Sequence, residues 1–243
     1  MKDFILVLGI VGTLCSQPPD ANDILGQIDS NLSAETMIVK STMIIHGRRT
    51  DRSVTAKSWI HGTKKSFTEY LSPPREAGTK MLKLEDQLWI YSPQTDRIIR
   101  IAGHMLRQSV MGSDLSYEDL MEDPVLGNIY SAEIIEEQRV NDQPCWVLHL
   151  QAKTDDVAYA TRKIWVDQSK MIILKENRYA KSGKLLKTTK VQEVMRQQGR
   201  WYPGKTVFND VLSSSKGTEY VIKSIEFNAD IPDYVFSKAS LRK

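Results

Sequence analysis

Cysteine is nearly absent from this chain of 243 residues, with Cys15 and Cys145 the two present. Two such distant cysteines exclude a disulfide framework and lack the paired spacing of a zinc site. Histidine is scarce as well, and His46, His61, His104 and His149 stand singly, never three or four residues apart. Helical metal-binding motifs are thereby ruled out. No glycine-rich phosphate loop, nucleophile elbow or zinc-protease signature occurs. Neither sign of charge dominates, with 33 Lys+Arg against 30 Asp+Glu and a net charge of +3. Basic residues are scattered rather than interleaved with aromatics along a stripe, which speaks against a nucleic-acid partner. No apolar run approaches the roughly 20 residues that span a bilayer as a helix. The residues ask for no cofactor, no metal and no catalytic group, and so describe a binding protein rather than an enzyme.

A hydrophobic content of 41% supports a real core. The length suits one large domain, since β sandwiches and barrels commonly exceed about 200 residues. Residues 4–14 form a short apolar run behind Lys2, with the length of a signal-peptide core. The expected division is a signal peptide over residues 1–16 and a single domain over 17–243. Cys15, after Gly12-Thr13-Leu14, is open to two readings. It is the lipidated first residue of a mature protein, or it leaves with the leader. Either way the expected location is the periplasm, lipid-anchored in the first case and free in the second. Cys145 lies in the apolar string Pro144-Cys-Trp-Val-Leu-His-Leu150 and reads as a small core residue.

Asp20 can cap a helix whose apolar positions Ala21, Ile24, Leu25, Ile28 and Leu32 form one stripe. Short strands then follow one another, broken by the turn around Pro73-Pro74 and by residues 103–127. Within that interruption Ser116 and Asp119 have capping-box spacing. Asp114 and Glu118, four apart, read as a carboxylate pair or as a capping, solvated face. After Tyr130 the strands resume, separated by turn signals such as Asn141-Asp142, Ser182-Gly183 and Gln198-Gly199. Alternation places Trp146, Leu148 and Leu150 on one face, pairs Phe67 with Leu71, and pairs Trp89 with Tyr91. The pattern predicts one large antiparallel sheet curled around its apolar face and capped by helical segments. Whether it encloses a filled core or a cavity is left open by alternation alone.

Several strings, taken together, resemble the outer-membrane lipoprotein-sorting family. They are Leu71-Ser-Pro-Pro-Arg-Glu-Ala-Gly-Thr-Lys-Met-Leu82, Leu88-Trp-Ile-Tyr-Ser-Pro93 and Met111-Gly-Ser-Asp-Leu-Ser-Tyr-Glu-Asp-Leu120. Lys163-Ile-Trp-Val-Asp167, Gly199-Arg-Trp-Tyr-Pro203 and Ile225-Glu-Phe-Asn228 agree in order. The resemblance implies a LolA-like fold: mainly β with an α lid, an unclosed antiparallel half-barrel around a hydrophobic cavity. It implies a monomer that takes an acylated lipoprotein or a phospholipid and meets a membrane-associated donor or acceptor protein. An envelope sensor module with the same fold, signalling through a protein partner, is the alternative.

On that reading the expected cavity wall is Trp59, Phe67, Leu71, Trp89, Tyr91, Trp146, Leu148, Leu150 and Phe208. The expected lid is Ile24, Leu25 and Ile28 from the first helix, with Met105, Leu106, Met111 and Leu115 from the interruption. Gly112, Asp114, Tyr117 and Asp119 would set lid geometry. Arg97 and Arg100 are the arginines offered to an anionic headgroup, or simply exposed strand residues.

Overall fold

The computed structural model describes residues 19–242; the expected signal peptide and Cys15 lie outside the described residues. The chain opens with helix α1 (Ala21–Leu32), capped by the Asp20 carboxylate, which accepts a hydrogen bond from the Asn22 amide at 2.7 Å. Six strands follow: β1 (Thr36–Ile45), β2 (Arg52–His61), β3 (Lys65–Ser72), β4 (Lys80–Leu84), β5 (Gln87–Ser92) and β6 (Arg97–Ile101). Seven more come after the interruption. They are β7 (Tyr130–Val140), β8 (Gln143–Ala152), β9 (Thr161–Asp167), β10 (Ile173–Tyr179), β11 (Leu185–Gln197), β12 (Arg200–Asp210) and β13 (Thr218–Phe227).

Each strand pairs antiparallel with its neighbours in sequence except across the β6–β7 link, and β1 also pairs antiparallel with β13. The described strands therefore form a single 13-stranded sheet in the order β6-β5-β4-β3-β2-β1-β13-β12-β11-β10-β9-β8-β7. It is unclosed, with β6 and β7 as its edges. Tight polar turns make the meander; Asn141 and Asp142, at φ 48° and 62°, supply the left-handed pair that a two-residue hairpin needs. Among the described residues no helix is long and apolar enough to cross a membrane.

Both faces of the sheet are covered, and the register separates them. One row runs Met43–Val54 in the first half and Met43–Tyr220–Thr206 across the joint. A parallel row continues Phe208–Thr189–Glu176–Ile164–Leu148–Ile134 to the far edge. This inner face lies under α1 and the interruption. On it Ile24, Leu25 and Ile28 pack against Leu148, Leu150, Ile164 and Val166. The opposite, outer row runs Trp59–Phe67–Leu82–Trp89. The last residues cover it: turns at Asp233–Phe236 and Lys238–Arg242 lay Phe236 and Leu241 on those aromatics.

That division corrects part of the expected wall. Trp59, Phe67, Trp89 and Tyr91 belong to the outer face and serve as the bed of the C-terminal turns. Leu71 is 42% exposed, because the β2–β3 register slips there: Thr55 faces Ser72 and Ala56 faces Tyr70, leaving Leu71 without an opposite residue. Leu148, by contrast, is fully buried under α1. Leu148→Ala should cost about 2–5 kcal/mol of stability, whereas Leu71→Ala should stay within about 0.5 kcal/mol. Urea titration of both variants reads the difference directly.

Candidate functional site

The link from β6 to β7 joins the two edges of the sheet, so it has to run the width of the inner face. Its contacts record the crossing in chain order. Met105 and Leu106 rest on Met81, Leu88 and Ile101 of β4–β6. Val110 and Leu115 then cover Met43, Ile45, Val54, Ala56 and Tyr70 of β1–β3. Asp114 engages β12 and β13, Asp119 engages β10 and β11, and Glu122 engages β9. Leu126 finally joins the cluster around Leu148 and Leu150 on β8. Residues 102–129 are thus a roof strapped across the sheet. Two short α-helices lie in it, α2 (Tyr117–Met121) and α3 (Leu126–Ile129), after 3-10 turns at Gly103–Arg107 and Val110–Gly112.

Side chains, not strand pairing, fasten this roof to the sheet. Asp114, 3% exposed, is its first anchor. One carboxylate oxygen accepts from the Asp210 amide at 3.0 Å and from the Ser215 hydroxyl. The other accepts from Thr218 Oγ1 at 2.7 Å, and the Asp114 amide donates back to that hydroxyl oxygen at 3.0 Å. The tight path into this anchor explains Met111 and Gly112, both left-handed at φ 52° and 71°, while Arg52 donates to the Met111 carbonyl. Asp114 and Glu118 therefore do not act as a pair. Asp114 is committed to the β12–β13 hairpin, and Glu118 is part-buried, with its pKa raised chiefly by that burial.

Asp119 is the second anchor and also half of the expected capping box. Its carboxylate accepts from the Ser116 amide at 2.7 Å, and Ser116 Oγ accepts from the Asp119 amide at 3.3 Å. The same carboxylate takes Tyr159 Oη at 2.6 Å, Arg178 at 3.1 Å and Lys187. Glu122 pairs with Arg162 and accepts from the Tyr130 hydroxyl at 3.2 Å. On the sheet, Glu176 lies between Arg162 at 2.8 Å and Arg178 at 2.9 Å. At the α1 end Asp29 accepts from the Leu126 and Gly127 amides at 3.0 and 3.2 Å, tying α1 to α3.

Between roof and floor lies a void of about 70 Å³, lined by Met43, Val54, Ala56, Tyr70, Val110 and Leu115 among others. Phe208 stands beside it, edge-on to Tyr220 at 6.5 Å between ring centres. The inner face thus gathers Trp146, Leu148, Leu150 and Phe208 from the expected wall and all the expected lid residues. Sequence reading passed over Met43, Val54, Ala56 and Tyr70. The alternation Met37, Val39, Ser41, Met43, Ile45 in β1 carried the signal. It also passed over Arg162, Arg178 and Lys187, which lie on strands. Arg97 and Arg100 are exposed on the edge strand β6.

Burial by itself would raise the Asp119 pKa, but Arg178 and Lys187 overcome it and hold the carboxyl at about 2, below its ordinary 3.8. A group whose folded pKa is depressed stabilises the fold above its unfolded pKa, and that contribution is lost as pH falls through the folded value. At about 1.4 kcal/mol per unit, the depressed pKa corresponds to a net contribution of about 2 kcal/mol at neutral pH, the ion pairs and hydrogen bonds less the cost of burial. Asp119→Asn should lower stability by that order at pH 7, and its deficit relative to the parent chain should shrink as pH falls from about 4 toward 2. Urea unfolding midpoints across that range test the sign.

Comparison with known proteins places the fold. A family model described as an uncharacterized protein matches residues 62–243, well over half of the chain. No curated protein matches in sequence. Among solved structures, a domain from Vibrio parahaemolyticus described as outer membrane lipoprotein-sorting is 20% identical with a TM-score of 0.80, covering 92% of this chain and 98% of that one. A DUF1329 family protein from Desulfovibrio piger is 20% identical with a TM-score of 0.83, over 90% of this chain and 97% of its own. A LolA superfamily protein from Nitrosomonas europaea is 21% identical with a TM-score of 0.77, over 92% and 100%. At such identities these likenesses speak for the fold. The chain belongs to the family of the matching model, and its unclosed antiparallel sheet has the LolA-like fold of outer-membrane lipoprotein-sorting proteins.

Proposed function

We propose that this protein is a non-enzymatic binding protein of the periplasm that holds lipid acyl chains between its inner sheet face and the strapped roof. The cargo is an acylated lipoprotein or a phospholipid, exchanged with a membrane-associated donor or acceptor protein. The chain acts free or anchored through Cys15. One observation carries the reading: an apolar floor of β1–β3 is covered by a segment that makes no strand pairing with it. Such a roof can lift without unzipping the sheet.

The energetics favour apolar cargo. Each buried CH₂ contributes about 0.8 kcal/mol, so one long acyl chain gains on the order of 10 kcal/mol on leaving water. The void of about 70 Å³ is well below that volume of cargo. For scale, an apolar cavity of about 150 Å³ takes up benzene. Loading therefore requires the roof to move, and the methionines around the void, Met43, Met81 and Met111, adapt to variable chain shape. The sorting and LolA designations of the structural neighbours support the same class of cargo.

Native mass spectrometry with lipid extraction, on protein purified from its own envelope, should find acylated peptide or phospholipid. In a fluorescent acyl-probe assay Ala56→Trp, which fills the void, should weaken uptake by about tenfold, a difference near 1.4 kcal/mol. Trp89→Leu, on the outer face, should leave uptake unchanged. Ligand-free protein that also takes up no probe would reject the carrier reading and favour the sensor module.

A further inference from the structure

The middle of the inner face is charged. On β9, β10 and β11 the sheet contributes three cations, Arg162, Arg178 and Lys187, and one anion, Glu176. The roof contributes the two anions that complete the balance, Asp119 and Glu122. Three positive charges thus meet three negative ones, and two of the negative ones sit on the part that must move. The cluster is largely buried: Arg162 is 3% exposed, and the side chains of Arg178 and Lys187 are 13% exposed. It is also flanked by rings, with the Arg162 guanidinium 4.7 Å from Tyr130 and that of Arg178 5.3 Å from Tyr159.

Lifting the roof takes Asp119 and Glu122 away and leaves the sheet with three cations against one anion. Stranding buried charges of one sign against an apolar ligand is costly. Opening is therefore opposed unless the ligand brings its own negative charge. A second observation points the same way. Among the described residues, Nε of Arg162, Nε of Arg178 and Oγ1 of Thr189 are buried and have no hydrogen-bond partner. Thr189 faces Glu176 in the register, which places it in this row. The cluster thus holds spare donors, and a phosphate offers several strong acceptor oxygens. Apolar ground adjoins it on both sides, around Val54 and Met43 in one direction and around Leu148 and Ile164 in the other.

We propose that Arg162, Arg178, Lys187 and Thr189 form the site for the anionic, phosphate-type headgroup of a lipid, and that Asp119 and Glu122 occupy it in the closed state in place of that headgroup. The roof is then its own competitor. The inference rests on the acyl-binding reading and narrows its cargo to the phospholipid: an acyl chain under a phosphate enters readily, and one under a phosphate-free head, that of an acylated lipoprotein included, does not.

The test uses two probes identical but for the phosphate, 1-lauroylglycerol and 1-lauroylglycerol 3-phosphate, with inorganic phosphate as a third, titrated calorimetrically into the mature protein. The phosphorylated lipid should bind at least about tenfold tighter than the neutral one, as befits charge-assisted bonds. Lys187→Met should erase most of that advantage, weakening the phosphorylated lipid relative to the neutral one. Asp119→Asn should instead tighten the phosphorylated lipid several-fold, a direction that general damage to the fold does not produce. Equal affinity for the two lipids, or weaker binding by Asp119→Asn, overturns the headgroup site while acyl binding stands. Inorganic phosphate binding as tightly as the lipid phosphate would assign the site to free phosphate and reject the lipid headgroup. Failure of all three probes to bind overturns both readings.

Discussion

The pairing of β1 with β13 is the contact on which the rest of the architecture depends. The remaining pairings join strands consecutive in the chain, β1 to β6 and β7 to β13, and alone would give two separate meanders. Joining the first strand to the last fuses them into one sheet and sends β6 and β7, consecutive along the chain, to opposite edges. The segment between them must then cross the whole inner face. A roof follows from the topology before any side chain is considered. The sequence of that segment decides only how it is fastened.

Much of this was legible in the residues, and what was not has identifiable causes. The α1 stripe of Ile24, Leu25 and Ile28, the turn signals and the Ser116–Asp119 capping box are local, and each appears where its spacing puts it. Alternation also found apolar faces correctly, but it does not say which face is the inner one. A sheet covered on one side only would have revealed it by a polar outer row. Here the C-terminal turns cover the outer face, so Trp59, Phe67 and Trp89 are as apolar as the true floor. Leu71 was misplaced by a bulge, an irregularity that period-two reading does not see.

The charged cluster escaped for a different reason. Asp119 meets Tyr159, Arg178 and Lys187 at separations of 40, 59 and 68 residues. Nothing local distinguishes a strand arginine that faces a roof from one that faces water. The same limit hid the second role of Asp114, whose partners lie at separations of about a hundred residues.

An apolar roof would have been the simpler way to close such a sheet. Replacing buried ion pairs by well-packed apolar side chains is often neutral or stabilising, so the seam of Asp119, Glu122, Arg162, Arg178 and Lys187 is not explained by stability alone. An apolar seam has another property, however: it would offer an acyl chain no discrimination, since hydrophobic burial is non-directional. It would also be lost to any apolar chain of sufficient length. A charged seam separates the two demands. On the proposed reading, Met43, Val54 and Leu115 would supply burial that any acyl chain can use, while the seam would set a barrier that depends on the charge of what replaces the roof. If the proposal holds, a barrier midway along the inner face, with apolar floor to either side, would let a single strap respond to both ends of an amphiphile at once.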